Sequence, residues 1–502
     1  MNGQNVREYC RTHYVALAAL VLGLAAFNLT YRLDREFVTE WDESLYALSA
    51  WEMADRGDWI GVTMFGNFDY SNTKPPLNVW LLIISFKLFG RGLFALRLAS
   101  ALSAWLTILA LVEWSRRRFD PFFALVAGAV LATTFGFFHV HSGRTANTDA
   151  LFTLFVTLVV IVLSAEERRP WQRLWLGPAL AGAFMTRGMA FLMPLTIVII
   201  VDAVRRREWR QRLAPTAFAV ALFVIPVMTW AQARYRLDGW AFFAPMFEHD
   251  FINRTVRALD EHSGGPLYYL GILAKHQYDW LAVCVIAAIV CPRVWTNVRA
   301  RLLFTWGDNG LRSLIAAWAA CTLLIPTVMA TKVPWYLNTF YPLFAVAVAA
   351  LVVYAFDQIT KMPGVTARLG ILTAAVLLGF AIAEAKLWAY SFGYRDLSHS
   401  AQGLLLAEAD RLAGRRVYRD RFDRSATFVA GIVGAELRPV SSYSEFLRVS
   451  CRGDFLLLST PNHWRHKLRM VRSNHGNWLL VRRSQHSASG ARDAFGSSGR
   501  SR

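Results

Sequence analysis

An acidic pair, Asp42 and Glu43, lies in an aromatic setting just after the first apolar stretch of the chain. The surrounding sequence, WDESLYALSAWEMA, predicts an amphipathic helix at a membrane surface, with Asp42 near its N-terminus, where negative charge is favoured. A carboxylate held there can act as a general base or balance neighbouring cations. A solvated loop charge is the alternative interpretation.

A lysine followed by two prolines comes 31 residues later, in the sequence KPPL. Pro75 and Pro76 restrict the backbone and cannot continue a helix, so Lys74 is predicted to lie at a defined corner. A fixed cation at a membrane surface suits a phosphate group that a lipid tail anchors. A lysine that only reaches toward the membrane surface is the alternative.

A second acidic residue, Asp149, opens an apolar segment. A charge within the membrane costs free energy, less so near a helix end, so Asp149 is either a functional group or a helix cap. Arg144 lies five residues before it and could pair with Asp149 or bind phosphate.

Two further segments are rich in polar and aromatic groups. Residues 247–270 contain Glu248, His249, Asp250 and His262, which could suggest a metal site, but their spacing matches no standard zinc pattern. The turn TKVPWYLNTFYP contains a lysine and several aromatic residues. Anchoring at the membrane interface is the alternative for its Trp, Tyr and Lys residues.

The composition indicates a membrane protein that must position these groups. The chain has 502 residues, of which 55% are hydrophobic, and apolar runs of about 20 residues recur, the length that spans a bilayer. The net charge of +19 comes largely from arginines in short loops between these runs. Membrane orientation and anionic lipid explain them better than nucleic acid, for which no motif is present. The five cysteines form no disulfide framework.

Eleven apolar spans are predicted. Residues 76–90 are too few to cross fully and are predicted to lie along the interface or form a short helix. Two other spans are also short and are separated by Thr186, Arg187 and Gly188, so they are predicted to be half-helices. The spans are residues 14–30, 94–114, 121–138, 147–164, 174–186, 190–203, 213–235, 267–291, 311–330, 335–356 and 369–390.

The arginine clusters predict an orientation. Traced alternately, the spans place the clusters at 116–118, 168–173, 205–212 and 293–301 on one side, which the positive-inside rule assigns to the cytoplasm. The candidate chemical residues all fall on the opposite side. The predicted domains are a transmembrane domain (1–391, with the acidic pair in external loop 31–75), a small soluble α/β domain (392–485) and a disordered basic tail (486–502).

Taken in order, these elements resemble the membrane polyprenyl-phosphate-sugar glycosyltransferases of the GT-C superfold, the branch with lipid A aminoarabinose transferases and protein O-mannosyltransferases. The resemblance covers residues 10–390. It implies a polytopic α-helical GT-C fold with about 11–13 transmembrane helices, followed here by the small periplasmic α/β domain predicted above. It implies catalytic roles for Asp42, Glu43 and Asp149, donor-phosphate binding by Lys74, Arg144, Arg254 and Lys332, and a substrate lining of His262, Tyr268, Tyr269, Trp335 and Tyr336.

The resemblance also implies an activity. A sugar would pass, with inversion, from a polyprenyl phosphate to an acceptor at the periplasmic face of the inner membrane, most simply lipid A or lipopolysaccharide core. Protein is the alternative acceptor, and a transporter or flippase of lipid-linked sugars is the alternative of another class. No cofactor is expected; several relatives have an acidic residue before the KPPL lysine that can join a metal site, and here that position is Thr73.

Overall fold

The computed structural model describes residues 3–165, 169–205, 209–259, 262–294, 309–459 and 468–482. The chain forms two compact units. The first contains Met1–Leu33 and Ser49–Tyr390, and the second contains Asp34–Leu48 and the described residues from Ser391 onward.

The first unit is almost entirely helical. Its longer helices are Tyr14–Thr30, Leu77–Phe89, Leu93–Arg118, Pro121–Ala132, Asp149–Ala165, Leu176–Arg187, Leu192–Val204, Trp209–Asp238, Tyr278–Val290, Asn309–Val328, Tyr341–Ile359 and Val365–Ala389. Shorter helices are Gly3–Thr12, Phe135–His139, Phe243–Phe247, Arg254–Val256 and Tyr268–His276. A two-residue hairpin pairs strand β1 (Thr63–Met64) with strand β2 (Asn67–Phe68).

Seven helical segments among the described residues are long and apolar enough to cross a membrane. An eighth arises if Tyr268–His276 and Tyr278–Val290, bent by 89°, form one broken span. The shorter apolar helices Leu77–Phe89, Pro121–Ala132 and Asp149–Ala165 complete the helical layer. The predicted polytopic helical fold is therefore confirmed, and residues 77–89 form the short helix expected there.

One of the seven segments, Pro170–Val204, turns back on itself. Arg173, near its start, forms an ion pair with Asp202, near its end. The reversal takes place in the 3₁₀ turn Gly188–Phe191, where Gly188 has a positive φ of 55° that few other residues adopt. The two predicted half-helices are thus the arms of a hairpin whose tip carries Arg187.

The two ends of the first unit carry different side-chain contacts. At the arginine-rich end, Arg7 bonds Asp120 and Asp357, Arg173 and Arg212 face Asp202, and Arg205 bonds the carbonyls of Leu163 and Gly310. At the opposite end lie the hairpin tip and the turn Pro334–Phe340. The described members of the predicted arginine clusters share one end; Arg168, Arg206, Arg207, Arg299 and Arg301 lie outside the described residues.

The second unit contains a five-stranded mixed sheet. Its strands are β3 (Arg416–Arg419), β4 (Glu436–Pro439), β5 (Phe455–Leu458), β6 (Leu468–Asn474) and β7 (Asn477–Arg482), in the order β4-β3-β5-β7-β6. The first three strands are parallel, and β6 and β7 are antiparallel. Helices Ala401–Ala407, Ala409–Leu412, Arg424–Ile432 and Tyr443–Val449 accompany the sheet. These strands and helices form the small α/β domain that the sequence predicted for this region.

The acidic segment Asp34–Leu48 belongs to this second unit. The predicted domain boundary at residue 391 had placed this segment with the transmembrane helices. The physical reason is a set of hydrogen bonds between segments that are far apart in sequence. The side chain of Gln402 bonds the main-chain N–H and C=O of Val38, both at 2.8 Å. The predicted tail, residues 486–502, lies outside the described residues.

We expect Gly177→Ala to destabilise the first unit. A methyl group on Gly177 would collide with the main-chain oxygen of Ala219 in the neighbouring helix, and backbone cannot move aside cheaply. Overpacking of this kind costs roughly 1–3 kcal/mol. Thermal unfolding in detergent should therefore occur at a lower temperature.

The matched control is Gly23→Ala. Its added methyl group meets nothing within 4 Å, and alanine favours a helix by about 1 kcal/mol over glycine. An equal loss of thermal stability in both variants would contradict close helix packing at Gly177.

Candidate functional site

A cluster of charges joins two loops of the first unit that are distant in sequence. The carboxylate of Asp250 forms an ion pair with Lys74 and accepts a hydrogen bond from the Thr73 hydroxyl. Its other oxygen accepts a hydrogen bond from Arg254 Nε at 3.0 Å. Tyr336, from the turn Pro334–Phe340, lies close enough to Arg254 to raise its pKa. Lys74, Arg254 and Tyr336, all predicted site residues, are therefore brought together.

The local backbone explains why Lys74 is held there. Pro75 and Pro76 are buried and directly precede the helix Leu77–Phe89, so the chain turns at the lysine as the sequence predicted. On the other side, Asp250 lies in the irregular helical turn Glu248–Asn253 and Arg254 follows it directly. A spacing of four residues lets Arg254 reach back to Asp250 on one helical face.

The charges of the cluster shift one another's protonation. Burial would raise the pKa of the Asp250 carboxyl, but Lys74 and Arg254 hold that pKa below its ordinary range. Burial lowers the pKa of the Lys74 ammonium; Asp250 offsets this only in part, and Arg254 and Arg187 lower it further. Burial opposes the charge of Arg254, yet Tyr336 and Asp250 raise its pKa, so the guanidinium stays protonated.

A second ion pair lies beside this cluster. Arg187, at the hairpin tip, donates to Asp149 Oδ1 at 2.6 Å and lies over the ring of Phe152, 5.6 Å from its centroid. Asp149 is the first residue of the helix Asp149–Ala165 and is buried. Gly188 would place a Cβ 3.5 Å from the ring of Pro75, so the tip lies against the KPPL corner.

Two predicted phosphate ligands, Arg144 and Lys332, contact main-chain carbonyls. Arg144 is buried and donates to the carbonyl oxygens of Asn28, at 2.6 Å, and Tyr31, at 3.1 Å. Lys332 donates to the carbonyl oxygens of Thr327 and Met329, at 2.8 and 2.5 Å. These contacts cap the ends of apolar helices, where main-chain carbonyls lack partners. Phosphate binding by Arg144 and Lys332 stays a prediction.

The predicted aromatic platform forms a stack. The ring of Trp335 lies parallel to that of His141, with centroids 3.9 Å apart and an interplanar angle of 10°. The ring of His262 meets Trp335 edge-on at 6.0 Å. His141 has a positive φ of 52°, a backbone conformation that costs free energy outside glycine and is common at functional sites.

Main-chain hydrogen bonds fix the loops that carry these groups. Thr331 N–H donates to the carbonyl of Arg254 at 3.2 Å, and Lys332 N–H donates to that of His262 at 2.9 Å. Tyr268 and Tyr269, which begin the next helix as predicted, contact each other edge-to-face at 5.0 Å. The two loops predicted to line the site are therefore one connected surface.

The predicted catalytic pair belongs to the second unit. Asp42 is the first residue of the helix Asp42–Arg56, which confirms the predicted helix start. Glu43 is fully buried, accepts hydrogen bonds from Thr39 N–H and Oγ1 at 2.8 and 2.9 Å, and lies 3.6 Å from Arg395. Arg395 also faces Glu36 at 3.6 Å and donates to the carbonyl of Phe37.

A further anchor, Glu40, lies two residues before the pair. Both oxygens of Glu40 accept main-chain N–H groups, from Arg424 and Ser425, at 3.1 Å each. These groups open the helix Arg424–Ile432, whose N-terminus favours an anion. The Arg424 guanidinium lies over the Trp41 ring, 5.6 Å from its centroid.

Sequence reasoning missed several of these residues. Arg187 was seen only as part of a break between short spans, and Asp250 only as a doubtful metal ligand. A charged residue beside a glycine between two short apolar runs is the signal that could have identified Arg187. No group of three or more His, Cys, Asp or Glu side chains placed to hold a metal occurs among the described residues.

The chain is similar to several known proteins. A family model described as dolichyl-phosphate-mannose-protein mannosyltransferase matches residues 73–230. An undecaprenyl phosphate-alpha-4-amino-4-deoxy-L-arabinose arabinosyl transferase of Pseudomonas fluorescens is 29% identical over 330 residues, 64% of this chain and 57% of the relative. The corresponding transferase of Pseudomonas aeruginosa is 32% identical over 269 residues, 51% of this chain and 48% of the relative. The chain thus spans about half the length of these curated relatives.

Solved structures extend the likeness to nearly the whole chain. ArnT from Cupriavidus metallidurans bound to undecaprenyl phosphate superposes with a TM-score of 0.67 at 16% identity, over 93% of this chain and 97% of that one. The Archaeoglobus fulgidus oligosaccharyltransferase gives a TM-score of 0.53 at 12% identity, over 85% and 64%. The predicted GT-C fold is therefore confirmed.

We expect Arg395→Ala to destabilise the second unit strongly. The change removes a buried charge that faces two buried carboxylates, those of Glu36 and Glu43. Removing one partner of a buried ion pair costs about 3–5 kcal/mol. Limited proteolysis should cut the region after residue 391 faster in this variant.

The matched control is Arg411→Ala in the same unit. Its side chain is 66% exposed in its ion pair with Glu408, and exposed pairs contribute about 0–1 kcal/mol. Equal proteolysis rates for Arg395→Ala and Arg411→Ala would contradict a structural role for the buried arginine.

Proposed function

We propose that this GT-C-fold, aminoarabinose transferase-like chain is an inverting glycosyltransferase of the cell inner membrane. Its donor would be a sugar on undecaprenyl phosphate, and its acceptor lipid A or lipopolysaccharide core at the periplasmic face. The observation that carries the proposal is the pairing of Lys74 and Arg254 around one buried carboxylate. The names of the relatives support undecaprenyl phosphate as carrier and 4-amino-4-deoxy-L-arabinose as the sugar class.

The proposed reaction is a direct displacement at the anomeric carbon. The bond from that carbon to the phosphate oxygen breaks, its electron pair stays on the phosphate, and the acceptor oxygen forms the new bond. The phosphate gains negative charge, which Lys74 and Arg254 would stabilise electrostatically. Lysine supplies a compact charge and arginine a planar set of donors, and both suit phosphate.

Asp42 would have one of two roles, depending on the acceptor. A hydroxyl acceptor must lose a proton, and Asp42 would take it as general base. A phosphate acceptor on lipid A is already ionised near pH 7, and Asp42 would then position groups or balance cationic charge. Glu43 would support Asp42 from its buried pair with Arg395, and Asp149 would orient Arg187 near the phosphate.

The aromatic stack is the proposed sugar platform. An indole face is apolar and electron-rich, so it can pack against the C–H groups of a sugar and attract a cationic amino group. Trp335, held by His141 and His262, would serve this purpose together with Tyr336, Tyr268 and Tyr269. The positive-inside rule supports a periplasmic location, since the arginine-rich end of the first unit is opposite to this surface.

The first test is mass spectrometry of lipid A and core from cells with the wild-type chain, the Asp42→Asn variant or no chain. We expect a pentose-type mass increment with the wild type only, because Asp42→Asn removes the proposed base or counter-charge while keeping the side-chain shape. Identical spectra from all three, with equal amounts of chain in the membrane, would refute lipid A and core as acceptors.

A protein acceptor is the second candidate function. It is favoured by the match of residues 73–230 to the mannosyltransferase family model. Glycoproteomics on the same three strains separates the two functions: hexosylated envelope proteins that need both the chain and Asp42, with unchanged lipid A, would establish protein as the acceptor.

A pH dependence follows from the lowered pKa of Lys74. The protonated ammonium binds the donor phosphate, and a bound phosphate would raise its pKa again. Donor affinity is therefore highest at pH values below the pKa of unliganded Lys74 and falls as the pH rises through that pKa. Because that pKa is lowered, the fall begins at a lower pH than for an ordinary lysine. Donor KM measured across alkaline pH should show this rise.

Lys74→Arg is the matched variant for that profile. Arginine keeps its charge at every accessible pH, so the alkaline rise in donor KM should disappear even if the KM itself is higher. An unchanged alkaline profile in Lys74→Arg would assign the titration to another group.

A further inference from the structure

The position of Asp250 poses a question that phosphate binding alone does not answer. A carboxylate among the cations keeps them charged, but it also repels any anion that they bind, and Asp250 pairs with both Lys74 and Arg254. It is also largely buried, so water screens its charge only weakly. Any phosphate held by these two cations would lie near a fixed negative charge.

Asp250 leaves the cations able to bind a second anion. An ammonium group has three N–H donors and a guanidinium group has five. Asp250 takes one contact from Lys74 and one from Arg254 Nε. A phosphate can therefore bind the same two cations as Asp250. The carboxylate would then hold Lys74 in place and also repel the bound phosphate.

The reaction changes the charge that Asp250 would meet. The donor is a phosphodiester with one negative charge. After transfer, the C–O bond to the sugar is broken and its electron pair remains on the phosphate, which becomes a monoester carrying about −1.5 to −2 near pH 7. A fixed negative charge repels the product about twice as strongly as the donor.

We propose that Asp250 is a positioning residue that sets this charge discrimination, weakening the hold on the polyprenyl phosphate product so that it leaves. This inference rests on the proposed function. Asp250 also weakens product binding in a second way. It holds Lys74 at the corner and neutralises part of the positive charge of Lys74 and Arg254, so the product meets a smaller net positive charge.

Direct binding tests the proposal without requiring turnover. The full-length chain in lipid nanodiscs is titrated with undecaprenyl phosphate and, separately, with its methyl phosphodiester, which mimics the donor's single charge. Asp250→Asn keeps the shape and a hydrogen-bond acceptor but removes the charge. Loss of Asp250 lowers the pKa of Lys74 further, so binding is measured across a pH series. Where Lys74 is still protonated, we expect Asp250→Asn to bind the monoester roughly tenfold more tightly, with a clearly smaller gain for the diester.

Turnover supplies a second readout. Product inhibition by undecaprenyl phosphate should become stronger in Asp250→Asn and kcat should fall, while donor KM does not rise. A merely structural role for Asp250 would instead weaken the binding of both lipids and raise donor KM.

Two further variants make the outcome decisive. Asp250→Glu retains the charge and should keep the wild-type ratio of monoester to diester affinity. Glu248→Gln removes an exposed charge two residues away and should leave that ratio unchanged. Equal or weaker monoester binding by Asp250→Asn, or the same gain in either of the other two variants, would overturn the role of Asp250. Failure of the wild-type chain to bind either lipid would instead refute the proposed donor.

Discussion

The described arrangement of the first unit's charged surface depends on one carboxylate that two cations share. Asp250 draws Lys74 from a loop 176 residues away and Arg254 from the next helical turn. Each cation loses hydration when it is buried, and the shared negative charge offsets that loss for both. The hairpin tip lies against this corner, and Tyr336 of the turn Pro334–Phe340 lies near Arg254.

The same surface shows how differently identical residue types can be used. Lys74 and Lys332 each lie in a short turn just before a helical segment. Arg144 lies just before an apolar helix, and Arg187 is the last residue of one. Lys332 and Arg144 donate to main-chain carbonyls, whereas Lys74 and Arg187 pair with carboxylates. Main-chain carbonyls at helix ends require hydrogen-bond donors, as phosphates do. The residue type alone therefore does not reveal whether a lysine or arginine caps a helix or binds a phosphate.

The features that the sequence predicts correctly are those with a local signal. Apolar length located the helices, the acidic pair marked the start of the helix Asp42–Arg56, and the double proline marked the corner at Lys74. The pairing of Asp250 with Lys74, and of Gln402 with Val38, joins residues far apart in sequence. No periodicity records such a contact, which is why the attachment of Asp34–Leu48 to the second unit had to come from the structure.

That attachment has a consequence for the synthesis of the chain. Phe37 and Val38 leave the ribosome early, but their partners Arg395 and Gln402 follow 358 and 364 residues later. At about 5–20 residues per second, the acidic segment must wait roughly 20–70 s for them. During that time the apolar helices between them enter the membrane. The long-range hydrogen bonds of this segment therefore cannot form until residues 395–402 have been made, so they form after most of the apolar helices have been synthesised.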